Sequence, residues 1–221
     1  SFFALGGDSI TSIQLVTRAR AQGLELTPRQ VFEQRTVTAL ARVAGNVEKV
    51  GEELDAGIGM IDLTPFGRWL FEEGGEGSAF HQAMAVVMPS DLDYSQILDA
   101  LTRLVDHHDA LRMQTHCSGN RVNAEIRPRG TVDVSEALVC RRLDAVDDAS
   151  LVAAVTDEAA FTPDLAPEEG RILRAVWFIR PGKQGCLLMQ IHHLAVDAVS
   201  WEILLSDLQV LSLIHISEPT R

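Results

Sequence analysis

The chain has 221 residues, 46% of them hydrophobic and 23% charged, with a formal net charge of -12. It can therefore bury a real core, as one large domain or two small ones. That acidity excludes nucleic acid and anionic membrane surfaces as partners, because both require a basic face, and no apolar run has the length of a membrane span. Cys117, Cys140 and Cys186 are scattered, odd in number and outside any CxxC spacing. They read as free thiols in a reducing cytosol, which gives a cytoplasmic expectation, rather than as zinc ligands or a disulfide framework.

The first stretch is Ser1-Phe2-Phe3-Ala4-Leu5-Gly6-Gly7-Asp8-Ser9-Ile10. Two glycines ahead of Asp8 and Ser9 predict a tight turn feeding a helix N-terminus. Ile10, Ile13, Leu15, Val16 and Ala19 continue at helical spacing to a stop at Gly23. A hydroxyl at such a helix start lies near backbone N–H groups and the positive end of the dipole, a good place for a phosphodiester. The local pattern equally allows Ser9 to be a helix cap. The whole string FFxLGGDSI resembles the phosphopantetheine attachment motif of peptidyl carrier proteins, whose serine falls on Ser9. The resemblance implies 4'-phosphopantetheine on Ser9, loaded by a phosphopantetheinyl transferase. Asp8 and Ile10 resemble the residues found in carriers that sit upstream of epimerization domains.

Thr27-Pro28-Arg29-Gln30 is a capping box with proline at the first helical position, opening a helix through about Gln34. Thr36 caps the next, with Val37, Leu40, Ala41 and Ala44 as its apolar face. The resemblance makes residues 1–45 a carrier domain whose first helix lies before Ser1. Residues 46–60, rich in glycine and acid, read as a linker. Residues 61–210 read as the second domain.

Thr64 and Pro65 open a helix there, and the segment Pro65 to Trp69 resembles the PxxxW entry motif of epimerization and condensation domains. Phe80, Gln82, Met84, Val86 and Met88 alternate as in a strand that Pro89 ends. From Asp91 to His108 the pattern is a helix, with Asp93 as cap and Ile97, Leu98, Leu101, Leu104 and Val105 as its stripe. It leads into His107-His108-Asp109-Ala110-Leu111-Arg112-Met113, which again resembles the epimerization branch. His107 and His108 read as solvated, dipole-compensating residues at a helix C-terminus, and Arg112 as the structural partner of a buried carboxylate. Short strands and turns follow to Cys140. Asp147 or Asp148 then caps a helix to about Ala160, and a loop runs to Gly170. Arg171 to Arg180 and Cys186 to His193 are two strands joined by a hairpin loop.

The second strand ends in Ile191-His192-His193-Leu194-Ala195-Val196-Asp197-Ala198-Val199-Ser200-Trp201. Successive strand side chains face opposite ways, so one histidine faces the core and the other a cavity. Metal binding by His192, His193 and Asp197 is disfavoured, since the spacing lacks the i, i+4 histidine pair of a helical zinc site. The string resembles the HHxxxDxxSW signature of the condensation superfamily of nonribosomal peptide synthetases, with Ala198 where its relatives have glycine. Trp201 directly after Ser200 points to the epimerization branch.

The resemblance implies catalysis by His193, with His192, Asp197, Ser200, Trp201 and Arg112 in support. It also implies an α+β chain: a small helical carrier bundle followed by the first lobe of a chloramphenicol-acetyltransferase-like α/β fold. The implied function is L-to-D inversion of an aminoacyl or peptidyl thioester among neighbouring synthetase domains, in the manner of antibiotic biosynthesis. The alternatives are condensation, or a carrier acting only as a tether. The family's second base, a glutamate in an EGHGRE-like motif, is not among these residues, so the expectation is a fragment that does not itself epimerize. Residues 211–221 read as the translation of a sequencing adapter.

Overall fold

In the computed structural model, residues 1–46, 57–72, 80–118, 121–144, 147–161 and 163–216 are described. The chain divides into two compact units, residues 1–54 with 198–203, and residues 55–197 with 204–221. Most of the span read as linker lies outside the described residues, and its last residues already form a strand.

The first unit consists of α1 (Ser9–Ala21), β1 (Leu24–Glu25), α2 (Pro28–Gln34), α3 (Val37–Val43) and β2 (Gly45–Asn46), with β1 and β2 paired antiparallel. The capping box read at Thr27 forms, and a second one opens α1. Asp8 accepts from the Thr11 backbone N–H at 2.8 Å while Thr11 Oγ1 accepts from the Asp8 N–H at 2.7 Å. Thr27 and Gln30 repeat the exchange for α2. Gly23, at φ 79°, takes the left-handed conformation that stops α1 at little cost for glycine. Among the described residues of this unit's first 46, only Ser12, Val31 and Leu40 are buried. Of the apolar face expected for α3, Leu40 is covered but Val37 is 83% exposed. The helix runs from Val37 to Val43, so Val37 sits at its open first turn and Ala44 is the extended C-cap beyond its end.

The second unit has two sheets. One has the order β3 (Gly59–Ile61), β6 (Arg121–Ile126), β5 (Met113–Ser118). The other has the order β4 (His81–Met88), β9 (Gly185–His192), β8 (Leu173–Ile179), β7 (Leu138–Arg142). All pairs are antiparallel except β7 with β8. The helices of this unit are α4 (Pro65–Glu72), α5 (Tyr94–His107), α6 (Val134–Ala137), α7 (Asp148–Ala160) and, from residue 204 on, α8 (Ala198–Ile216). The tail from 211 thus begins inside α8, and residues 217–221 lie outside the described residues.

Every residue of β9 is buried, as a central strand covered on both faces requires. On one face Phe178, Val176, Cys186 and Leu188 pack with Leu151, Ala154, Val155 and Ala159 of α7. Gln190 and the terminal His192 are the polar residues in this strand, and Gln190 lies deeper in the sheet. Its amide donates to Phe161 O at 3.1 Å and its Oε1 accepts from Arg174 at 2.6 Å, so burial leaves no orphaned amide. β4 pairs along the other edge of β9 and alternates as expected, with Ala83, Ala85 and Val87 exposed and Met84, Val86 and Met88 turned inward. Among the described residues no helix is long and apolar enough to cross a membrane. Cys140 and Cys186 are free thiols.

Candidate active site

In the first unit, the strings around Ser9 resolve into a division of labour. Phe2 folds over the turn, and its ring lies 2.5 Å from where a Cβ on Gly7 would stand, so any larger residue there would have to displace the ring. The chain then enters α1 with Asp8 as N-cap and Ser9 as the first helical residue. Backbone and hydroxyl hydrogen bonds from Thr11 hold the Asp8 carboxyl below the usual carboxylate range. Capping is therefore done by Asp8, and the Ser9 side chain, on an exposed residue, is left unused by the cap. The fit to a covalently attached phosphodiester is direct: an exposed hydroxyl at the start of a 13-residue helix whose first N–H groups and dipole favour an anion.

In the second unit, β9 runs out at His192, and the antiparallel register sets His192 opposite His81. Strand alternation separates the two histidines as expected. His192 is fully buried, and its Nδ1 accepts from the Leu194 backbone N–H at 3.2 Å. That places it in the core. His193 is half-buried, and its backbone N–H donates to Phe80 O at 2.8 Å. Its ring stacks on Phe80 with centroids 5.5 Å apart and 18° between planes, and packs against Phe66 of α4 at 4.8 Å. Nε2 lies 3.1 Å from the amide nitrogen of Gln82. Nδ1 is buried with no partner among the described residues. Sequence reasoning missed Phe66 and Gln82 as neighbours of this ring; their only local signal was position on a helix start and an inward-facing strand position. Asp197 is exposed in the turn after β9. Ser200 and Trp201 belong to the first turns of α8, with Trp201 buried.

Two expectations need correction. Arg112 is fully buried, but its carboxylate is not. Nη2 pairs at 2.6 Å with Asp109, whose side chain is 46% exposed, while its other donors meet backbone carbonyls. The partner is local because the short 3-10 turn 109–112 brings residues three apart together. His107 is exposed as expected, yet His108 is not solvated. Its Nε2 meets Asp207 of α8 at 2.9 Å with only 19% of the side chain exposed.

Burial is the largest influence on His108 and pushes its pKa below the ordinary value, against the pull of Asp207. The neutral ring thus donates Nε2–H to a carboxylate. The unfolded chain takes up a proton near the normal histidine pKa and the folded one only at lower pH. This contribution to stability is therefore complete above about pH 6.5 and fades as pH falls through the folded value. A melting temperature that drops from pH 7.5 to 5.5, with a smaller drop in His108→Asn, is the expected result.

His107, His108 and Asp207 form the one described cluster with a donor set for a metal ion, their ligand atoms within 4.8 Å of one another. It lies beside a cavity of about 420 Å³ lined in part by His107 and Asp207, on different elements from His193.

Comparison with known proteins follows the same division. The model of the phosphopantetheine attachment site matches residues 1–44, and that of the condensation domain matches residues 58–213. The chain belongs to the condensation-domain family and carries a phosphopantetheine-binding module ahead of it, the pairing found in nonribosomal peptide synthetases. It is 38% identical over 228 aligned residues to the chondramide synthase of Chondromyces crocatus, covering 100% of this chain and 6% of that protein. Among solved structures it is similar to the epimerization domain from the third module of tyrocidine synthetase B, at a TM-score of 0.59 and 23% identity. That likeness covers 74% of this chain and 36% of the other. It is also similar to the condensation domain of the Monacolin K polyketide synthase MokA, at a TM-score of 0.57 and 13% identity, over 73% of this chain and 35% of the other. The second unit thus has the condensation-type, chloramphenicol-acetyltransferase-like fold. The chain spans a small fraction of the length of the curated relatives it matches.

Proposed function

We propose that Ser9 carries an aminoacyl or peptidyl substrate on 4'-phosphopantetheine, and that the second domain inverts the α-carbon of that substrate by proton transfer through His193. The observation that carries this reading is the His193 ring itself, held at a strand end by stacking on Phe80 and packing against Phe66 beside it, with Nε2 met by a single amide. When bound, the prosthetic group supplies a flexible thiol arm whose thioester acidifies the adjacent α-proton. Ser9 anchors the arm at the helix start. Tethering replaces a bimolecular encounter with a local one, at an effective concentration in roughly the millimolar range. Phe80 covers one face of the imidazole with Phe66 packed beside it, and His193 Nε2 moves the α-proton on one side of the carbon. The family resemblance assigns the opposite side to a glutamate of an EGHGRE-like motif outside these residues. A phosphopantetheinyl transferase and neighbouring synthetase domains are the implied partners, in the cytoplasm.

The test is α-deuterium loss from a Ser9-loaded, α-deuterated aminoacyl thioester. The 221-residue chain alone is expected to show none. Joined to a lobe bearing the EGHGRE-like motif, it exchanges, and His193→Ala lowers the rate by about 10²- to 10⁴-fold. Exchange that survives His193→Ala sinks the proposal. A second reading, amide-bond formation, is favoured by the condensation-domain match over residues 58–213. It is the one left standing if an acceptor amine yields a peptide and no deuterium is lost.

A further inference from the structure

We propose that Gln82 is a positioning residue that sets the tautomer of His193, an inference that rests on the reading of His193 as a proton carrier for its function but not for its test. Gln82 is the second residue of β4 and pairs in register with Ile191 of β9, on the inward parity of Met84, Val86 and Met88. That register delivers its amide nitrogen to 3.1 Å from His193 Nε2. An amide nitrogen donates and does not accept. Nε2 is therefore the acceptor, and the neutral ring carries its proton on Nδ1.

In most catalytic imidazoles the tautomer is fixed from the far nitrogen, by a carboxylate or carbonyl that accepts its N–H. Here the far nitrogen, Nδ1, is buried and has no partner among the described residues. The ring is held from the near side instead. Phe66 and Phe80 fix its plane, and the Gln82 amide fixes its rotation and the site of its proton. The Nδ1–H form is the neutral tautomer with a lone pair on Nε2, the atom that can take a proton from carbon. The Gln82 N–H occupies the place that the α-proton would take and gives way when the substrate arrives.

The test uses the chain as it stands, labelled with ¹⁵N-histidine, with long-range ¹H–¹⁵N correlations recorded where the ring is neutral. The His193 signals among the seven histidines are identified by their loss in His193→Ala. The wild type is expected to favour Nδ1–H over Nε2–H by roughly three- to tenfold, the factor conferred by one hydrogen bond of ordinary net strength. Gln82→Leu brings the two tautomers toward equal population. Gln82→Glu, isosteric and therefore compatible with the fold even if the leucine variant is not, offers only acceptors and moves the proton to Nε2. A wild type that is mainly Nε2–H overturns the proposal, as does a tautomer signature unchanged in both variants. If the tautomers respond as stated while the chain joined to its second lobe exchanges no α-deuterium, the catalytic reading falls and the role of Gln82 stands.

Discussion

Ser9→Ala is expected to remain at its apo mass after incubation with coenzyme A and a phosphopantetheinyl transferase, while the wild type gains one phosphopantetheinyl group. The residues beside it explain why the loss should be complete. Thr11 Oγ1 is engaged on both sides of the capping box, accepting from the Asp8 N–H and donating to the Asp8 carboxylate. Ser12 is fully buried, and its hydroxyl donates to Ser9 O at 2.7 Å. Ser9 alone of the three is exposed, and its hydroxyl is outside these bonds. Because Asp8 rather than Ser9 caps the helix, Ser9→Ala leaves the cap intact, and alanine is the best helix former. Its circular dichroism should match the wild type, so a failure to load reports chemistry and not unfolding. A mass gain in Ser9→Ala would move the attachment point elsewhere.

The largest expected effect on stability belongs to Arg112→Met. The guanidinium donates to Arg127 O at 2.9 Å, to Val105 O at 3.1 Å, to Asp106 O, and to Asp109 at 2.6 Å. One side chain thereby closes the C-terminal carbonyls of α5, the turn that follows, and the residue after β6. Methionine fills much of the volume and none of these bonds, leaving buried carbonyls without a donor. Each such loss costs about 1–3 kcal/mol, and breaking a buried charged network of this kind costs about 3–5 kcal/mol in all. Against a domain stability of about 5–15 kcal/mol, that is enough to shift the urea midpoint markedly. Arg112→Lys should recover little, since a single ammonium cannot span three carbonyls and a carboxylate spread over α5, the turn and the residue after β6. A change below about 1 kcal/mol in the methionine variant would show that the carbonyls find water or relax, a cost at the low end for a lost hydrogen bond.

The parts of the fold that were legible in the sequence were those decided locally. Capping residues at Thr27, Asp93 and Asp147, the stripe of α5 and the alternation of β4 each rest on contacts a few residues apart, and each formed, whereas the cap of α1, which the sequence offered to Ser9, is made by Asp8. Strand alternation also separated His192 from His193 without any tertiary knowledge. What could not be read was long-range. The Gln82 contact to His193 spans 111 residues and the His108 contact to Asp207 spans 99, and no local pattern encodes either. The parallel pairing of β7 with β8 is of the same kind. Arg112 failed differently: its burial follows from the motif, but its carboxylate partner depended on a 3-10 turn that composition does not announce. The carrier and histidine motifs pointed to Ser9 and His193 because a family pattern preserves spacing, whereas spacing says nothing about which side chain will meet an imidazole edge.

The pairing of β4 with β9 also sets an order of events as the chain is made. β8 and β9 are joined by a short hairpin and can zip as soon as both exist, but β4 must wait for a partner that begins at Gly185, almost a hundred residues downstream of Met88. At ordinary synthesis rates that delay is roughly 5–20 s. Throughout it an eight-residue, mostly apolar segment has no neighbour to receive its N–H and C=O groups, the kind of sequence that chaperones cover and that aggregates when they do not. The loop closed by this pairing is among the longest in the domain, so its entropy is offset late. Gln82 and His193 therefore meet only once β9 has been made, and the contact between the two side chains is absent from the nascent chain until then.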